Sequence, residues 1–339
     1  MTPAAWPRPR PLEERLLYVD PRQGTVADRR LADLGALLRA GDVLVVNDAA
    51  TLPASLRGRT ARGASVELRL AGQKERQWSA VLFGDGDWTR RTEDRPEPPP
   101  LRPGDTVQCG EGLRATVCAV DPDTPRLLEI EFDLEGPAFW SALYRWGRPV
   151  QYSYLRAPLA LWHVQTAYAA RPWAMEPPSA GRPLTWSLLA ELRGRGVEIT
   201  SVTHAAGLSS TGDPALDARL PLPERFEVRA TAVMAVAQAR QRAGRVIAVG
   251  TTVVRALETA AASGHLAARA GYTALRIGPG FRPRVVDGLL TGIHEPDSSH
   301  FALLAAFASP DLLRSAHRFA EEHAYLGHEF GDSCLVCPS

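Results

Sequence analysis

Three polar stretches of the 339-residue chain combine residue types that bind anions or move protons. The first begins with the apolar run Val246–Val249 and turns at Gly250-Thr251-Thr252. Val253, Val254, Arg255, Leu257 and Glu258 then read as a helix. A strand, a glycine and a helix start leave backbone N–H groups and a positive dipole end for a carboxylate or phosphate. Arg255, one turn in, is either a second clamp on such an anion or half of a buried Arg–Glu brace, and the spacing leaves both open. The Gly-Lys-Ser/Thr ending of a P-loop is absent, and no G-x-G-x-x-G follows a strand, so neither nucleotide motif is present.

The second stretch is Thr203-His204-Ala205-Ala206-Gly207-Leu208-Ser209-Ser210-Thr211, and the third is Thr291-Gly292-Ile293-His294-Glu295-Pro296-Asp297-Ser298-Ser299-His300. Both follow strand-like runs, where open α/β sheets hold their ligands. A histidine at either place can act as general acid or base near neutrality, or simply hold a structural hydrogen bond. Asp297, Ser298 and His300 do not read as a Ser-His-Asp triad, since they are nearly adjacent and lack a G-x-S-x-G elbow. Cys334-x-x-Cys337, after His323 and His328, has zinc-like spacing, but one pair is not a closed ligand set and the segment also reads as a strand. No metal is expected.

Elements that would position these loops are legible from periodicity. Leu31, Leu34, Leu37 and Leu38 share a helical face ended by Gly41, and Asp42 opens the buried-strand run Val43–Val46. From Leu56 to Trp146 short strand-like runs follow one another: Ser65–Leu70, Trp78–Phe83, Thr106–Cys109, Leu113–Val120 and Leu127–Phe132. Strands without intervening helices predict a small antiparallel barrel. After residue 150 helix and strand alternate, predicting a layered α/β domain. Thr185 caps a helix carrying Leu188, Leu189 and Leu192, followed by the strand Val197–Val202. Further elements are a helix from Glu227 to Arg242, a strand at Tyr272–Ile277, and a last helix opened by Ser309-Pro310-Asp311 and stopped at Gly327. The fold class is therefore α/β with an inserted barrel: residues 57–149 form the barrel, and 1–56 join 150–339.

Bulk composition narrows the partners. Hydrophobic residues make up 45% and charged residues 23%, as in ordinary globular proteins. No apolar run is long enough for a membrane helix, and the N-terminus has no apolar signal region, so a cytoplasmic location is expected. A net charge of +1 gives no global footprint for nucleic acid. Lys74 is the only lysine, so arginine-rich segments reflect codon bias as readily as phosphate binding.

In chain order, these pieces resemble the S-adenosylmethionine:tRNA ribosyltransferase-isomerase family of queuosine biosynthesis. Leu38–Asp48 with Pro53–Leu56 resembles its entry into the barrel, and Gln165-Thr166-Ala167-Tyr168-Ala169 its Gln-Thr-Val-Tyr-Ala. Pro178-Ser179-Ala180-Gly181, closed by Thr185, resembles its Pro-Thr-Ala-Gly-Leu-His-Phe-Thr. Val249–Glu258 is nearly identical to the family signature. Pro279-Gly280, Asp287, Thr291, His294, Pro296 and Ser298 fit two further motifs, and Gly331-Asp332 the closing Gly-Asp. The resemblance implies S-adenosylmethionine as co-substrate and, with it, tRNA carrying 7-aminomethyl-7-deazaguanine. The ribosyl part is transferred and rearranged to an epoxycyclopentanediol, and adenine and methionine leave. It also implies catalytic roles for His204, His294 and Glu224. Substrate binding would fall to Gln165, Thr166, Tyr168, Ser179, Ala180, Gly181, Gly250, Thr251, Thr252, Arg255, Pro279, Gly280, Ser298 and Asp332.

The chain also departs from the family. Arg182 and Pro183 stand for its Leu-His, and two glycines after His204 are replaced. Arg219-Leu220-Pro221-Leu222-Pro223-Glu224 keeps only the glutamate of His-x-Met-His-x-Glu, and Gly292-Ile293 replaces Asn-Phe. Proline and leucine cannot replace imidazole in proton transfer. The lost histidines therefore predict an altered acceptor, a small amine or nucleobase in place of tRNA, or else a tRNA base bound more weakly. A non-catalytic binder of S-adenosylmethionine or RNA is the remaining class.

Overall fold

The computed structural model describes residues 1–339. Its centre is a nine-stranded mixed sheet in the order Arg269–Thr273, Glu224–Val228, Glu198–His204, Val43–Asn47, Val246–Val249, Gly288–Gly292, Ser333–Val336, Arg15–Asp20 and Thr25–Arg30. Four neighbours from Glu198–His204 to Gly288–Gly292 run parallel, and Val43–Asn47 pairs with a strand on each side. Its side chains alternate between two cores. Val43 and Val45 join the cluster under the helices Ala230–Gln241, Thr251–Ala260 and Pro310–Glu322. Leu44 and Val46 join the cluster holding Leu31, Leu34, Leu38 and the helix Trp186–Gly194. Burial on both faces is why the run carries no polar alternation.

Six antiparallel strands close into a barrel: Ser55–Thr60, Ser65–Lys74, Gln77–Phe83, Thr106–Gly110, Leu113–Val120 and Leu127–Phe132. Phe139 and Leu143 of the helix Gly136–Trp146 pack into the barrel core with Trp78 and Phe132. The same core takes in Leu52, Val150, Met175, Leu208 and Leu216 from the chain before and after the barrel. The barrel is thus packed against the sheet's loops. No helix is long and apolar enough to cross a membrane.

Several expected boundaries move. The strand expected at Tyr272–Ile277 is Arg269–Thr273, because the Thr273 hydroxyl accepts from the Leu275 amide at 3.1 Å and turns the chain out of the sheet. The helix expected from Glu227 begins at Ala230, since Glu224–Val228 alternates inward at Phe226 and Val228 and pairs with a strand on each side. The last helix ends at Glu322 rather than Gly327: Ala324 takes a positive φ of 54°, and Leu326–Gly327 pairs with Thr2–Pro3. The predicted caps hold, with Thr185 accepting from Leu188 and Ser309 from Leu312.

Candidate active site

The C-terminal ends of the parallel strands open onto a cavity of about 880 Å3, toward the upper end of the roughly 300–1,000 Å3 usual for small-molecule sites. Gly250-Thr251-Thr252, Ala206–Ser210 and Thr291–His294 line it. Arg91–Glu93 closes one side from the barrel, and Ser179, Ala180 and Glu176 line another.

Gly250 holds φ at +89°, which a side chain would resist, and its amide bonds to Leu290 at 2.8 Å. The helix Thr251–Ala260 then starts with no side-chain cap, leaving its first N–H groups toward the cavity. Ala180, in the turn Ser179–Gly181, lies against Gly250: a Cβ on the glycine would meet it at 3.6 Å. Asn47 ties the adjoining strand ends together. Its Nδ2 donates to the His204 carbonyl at 2.9 Å and to Thr252 Oγ1 at 3.3 Å, and its Oδ1 accepts from the His204 amide.

Arg255 is braced, but its partner is Glu224 on the strand beside His204, not Glu258. Nη1 pairs with Glu224, Nε donates to the Leu275 carbonyl at 2.9 Å, and Nη2 is buried without a partner. Glu258 instead accepts from the amides of Arg284, Val285 and Val286. The two readings of Arg255 merge, because a braced guanidinium lines the cavity with one nitrogen, Nη2, left unpaired. Burial raises the Glu224 carboxyl against the opposing pull of Arg255.

His204 is fully buried, with Nε2 3.5 Å from Glu224 and neither ring nitrogen hydrogen-bonded. Burial, then the Arg255 charge, holds it well below the ordinary histidine range, so the ring is neutral. It stands beneath the cavity wall, whereas Glu224 and His294 are part of the wall. Nε2 of His294 meets Thr291 Oγ1 at 2.8 Å, and its ring stacks on His300 at 4.9 Å. Burial and then the neighbouring His300 and His328 keep it neutral as well.

Not every expected site residue reaches the cavity. Gln165 braces the backbone of Thr51, and Tyr168 donates to the Gly181 carbonyl. A Cβ on Gly181 would come within 2.1 Å of the Tyr168 hydroxyl, so this glycine allows their close packing. Thr166 is buried, its Oγ1 without a partner. Pro279 and Gly280 are exposed, Ser298 caps the helix Ser299–Leu304, and Asp332 is buried under Arg8 and the amides of Arg15 and Leu326. These eight support the wall or lie outside it. Cys334 and Cys337 enter the cores on opposite faces of the sheet, because a three-residue step along a strand changes face, so they cannot share one ion.

Sequence reasoning missed a further group lining the cavity: Tyr152, Tyr154, Glu176 and Glu329. None of them sits in a periodic or motif-like pattern, and they meet only through folding. Of the departures from the family pattern, Leu220, Pro221, Gly292 and Ile293 line the cavity, while Arg182 and Pro183 do not. Arg182 instead approaches the buried Glu14 at 3.6 Å.

An α/β sheet opening its strand ends onto one large cavity, partly walled by an attached barrel, places the chain among α/β proteins that hold a ligand at the ends of their strands. Nearly the whole chain, residues 2–336, matches the family model described as "Queuosine biosynthesis protein". It is 38% identical to the S-adenosylmethionine:tRNA ribosyltransferase-isomerase of Acidithiobacillus ferrooxidans, with 98% of this chain and 93% of that one covered. The enzyme of the same name from Thermosynechococcus vestitus is also 38% identical, over 96% of this chain and 89% of the relative. The crystal structure of the S-adenosylmethionine tRNA ribosyltransferase from Thermotoga maritima superposes with a TM-score of 0.54 at 25% identity, covering 98% and 95% of the two chains. The chain belongs to the queuosine biosynthesis family of S-adenosylmethionine:tRNA ribosyltransferase-isomerases.

Proposed function

We propose that the chain transfers and isomerises the ribosyl moiety of S-adenosylmethionine onto the aminomethyl group of 7-aminomethyl-7-deazaguanine in tRNA. The products are epoxyqueuosine, adenine and methionine, and the work is done in the cytoplasm. The observation that carries this reading is family identity along the whole chain, joined to a cavity roomy enough for a nucleoside and a base together.

The residues divide by position. The open helix start at Thr251 and Thr252, with Nη2 of Arg255, holds the methionine carboxylate, where N–H groups, dipole and guanidinium act together. The sulfonium acidifies the adjacent 5′ carbon, so a base placed there takes a proton and adenine is expelled. The acceptor, its ammonium having passed a proton to a carboxylate lining the cavity, then attacks as the free amine, and ring closure expels methionine. His294 is that base: it faces the cavity, and its neutral ring is free to accept a proton. The Thr291 hydroxyl fixes which way the ring points. His204 is a positioning residue that acts through Glu224. No step requires a metal.

The test is incubation with S-adenosylmethionine, with and without tRNA carrying 7-aminomethyl-7-deazaguanine, while adenine and methionine are followed by chromatography. Release dependent on the modified tRNA is expected. Release that instead follows a free amine moves the acceptor off tRNA, and no release under either condition ends the enzymatic reading.

A further inference from the structure

Buried acids in this fold are matched. Asp42 pairs with Arg245, Asp48 with Arg229, and Glu67 with both Arg69 and Arg95. Glu224 pairs with Arg255, and Glu258 takes three backbone amides. Neither Glu176 nor Glu329 has an ion-pair partner of this kind, although the Arg69 charge reaches Glu176, and both line the cavity. Glu176 is 8% exposed and accepts from the Tyr152 hydroxyl, with Ser209 against the same carboxyl. Oε2 of Glu329 is buried with no hydrogen-bond partner. The two carboxyls are close enough that each Glu176 charge raises Glu329, after burial itself, to about 8.

Beside them stands a wall of aromatic rings. Tyr152 and Tyr154 lie nearly parallel, their centroids 6.3 Å apart and their planes at 11°. His328 packs on Tyr154 at 4.6 Å. Burial raises both carboxyls, so ionising the two together is costly unless a ligand brings a positive charge. These rings line the same cavity and offer flat surface against which a planar ligand can pack. The missing partner is therefore cationic and attached to something planar.

We propose that Glu176 and Glu329, with the ring wall of Tyr152 and Tyr154, form the acceptor subsite, holding the primary ammonium of a planar heteroaromatic amine. The assignment rests on the ribosyl-transfer reading for the identity of the acceptor. It makes the two glutamates specificity residues, selecting an aminomethyl substituent over a neutral one. An ammonium has three donors, and the free oxygens of two carboxylates can take two of them. One neutralised carboxyl would leave a single charge-assisted bond, so either substitution should be felt.

Calorimetry with free 7-aminomethyl-7-deazaguanine and with its 7-methyl analogue would test this on wild type, Glu329→Gln and Glu176→Gln. S-adenosylmethionine would be titrated separately into each protein, and melting would confirm that each is folded. Wild type should prefer the aminomethyl base at least tenfold. Glu329→Gln should lose most of that preference while keeping its affinity for the methyl analogue and for S-adenosylmethionine. Glu176→Gln should behave alike, and Glu329→Gln, in the less buried of the two sites, keeps the test decisive if the other fails to fold. No preference in wild type, or an unchanged preference in folded Glu329→Gln, overturns the subsite. Lost S-adenosylmethionine affinity with unchanged amine affinity also overturns it, by assigning the acids to the donor's own ammonium. The base is titrated without S-adenosylmethionine, so failure of the ribosyl-transfer reading would show separately, as absent adenine release.

Discussion

Arg255→Met should expose how the site's central charge pair is held. Methionine keeps most of the volume, so the cost is electrostatic rather than a cavity. The substitution removes the ion pair to Glu224 and the 2.9 Å bond to Leu275. It leaves Glu224, 7% exposed, with the Gly207 amide at 2.7 Å and no positive partner. Breaking a buried pair from one side costs about 3–5 kcal/mol. The Glu224 carboxyl is raised by burial already, with Arg255 the largest influence opposing that. Without the guanidinium its pKa rises further, so the folded state binds the proton more tightly than the unfolded chain. The deficit should therefore be largest at about pH 8 and shrink as the pH falls through the folded pKa. Urea denaturation of Arg255→Met, Glu224→Gln and the double variant would measure this. The double variant should recover most of the loss. A loss below about 1 kcal/mol, or one independent of both pH and Glu224, would refute a buried pair. Calorimetry on the same protein should show S-adenosylmethionine affinity weakened by about 1.5–3 kcal/mol if Nη2 holds the carboxylate.

His294→Asn should lower adenine release at least ~100-fold with S-adenosylmethionine affinity kept, and unchanged turnover would end its assignment as the base. His204→Asn should cost less in kcat, since His204 reaches the cavity only through Glu224; an equal or larger loss would make it the proton-transfer group. Binding of 7-aminomethyl-7-deazaguanine should tighten from about pH 6 to about pH 8, approaching tenfold per unit while Glu329 must shed its proton to receive the cation. Glu176, Tyr154 and His328 face the same group; burial raises Glu176, lowers His328 and pushes Tyr154 up out of this pH window. The control is therefore Glu329→Gln, in which that slope should vanish; a persistent slope would assign it to Glu176 or His328. A fragment of residues 150–339 should not unfold cooperatively, because it lacks Val43–Asn47, which pairs with Glu198–His204 and Val246–Val249 in the middle of the sheet. A sharp, fully stable transition would show that the barrel and N-terminal residues are dispensable for that fold.

What the sequence by itself determined is local or near-local. The buried run at Val43–Val46, the strand–glycine–helix turn at Gly250, the caps at Thr185 and Ser309 and the barrel's succession of short strands all follow from neighbours a few residues apart. Backbone geometry makes such spacings decisive: a strand repeats every two residues and a helix every 3.6. Family motifs in chain order pointed to the reaction for the same reason, since each is a contiguous stretch. Where local signals were balanced, pairing decided. Glu224–Val228 could have begun the helix at Glu227, but neighbouring strands on both edges claim its backbone. The site's electrostatics were decided only by tertiary structure. The partner of Arg255 lies 31 residues away and not one turn along its own helix. His204 sits under the wall because Asn47, 157 residues earlier in the chain, holds its backbone there. Glu176 and Glu329 come together across 153 residues, the difference of their positions. Charge and burial act through space, and a linear spacing carries no information about which distant groups the sheet and its loops will bring to one cavity.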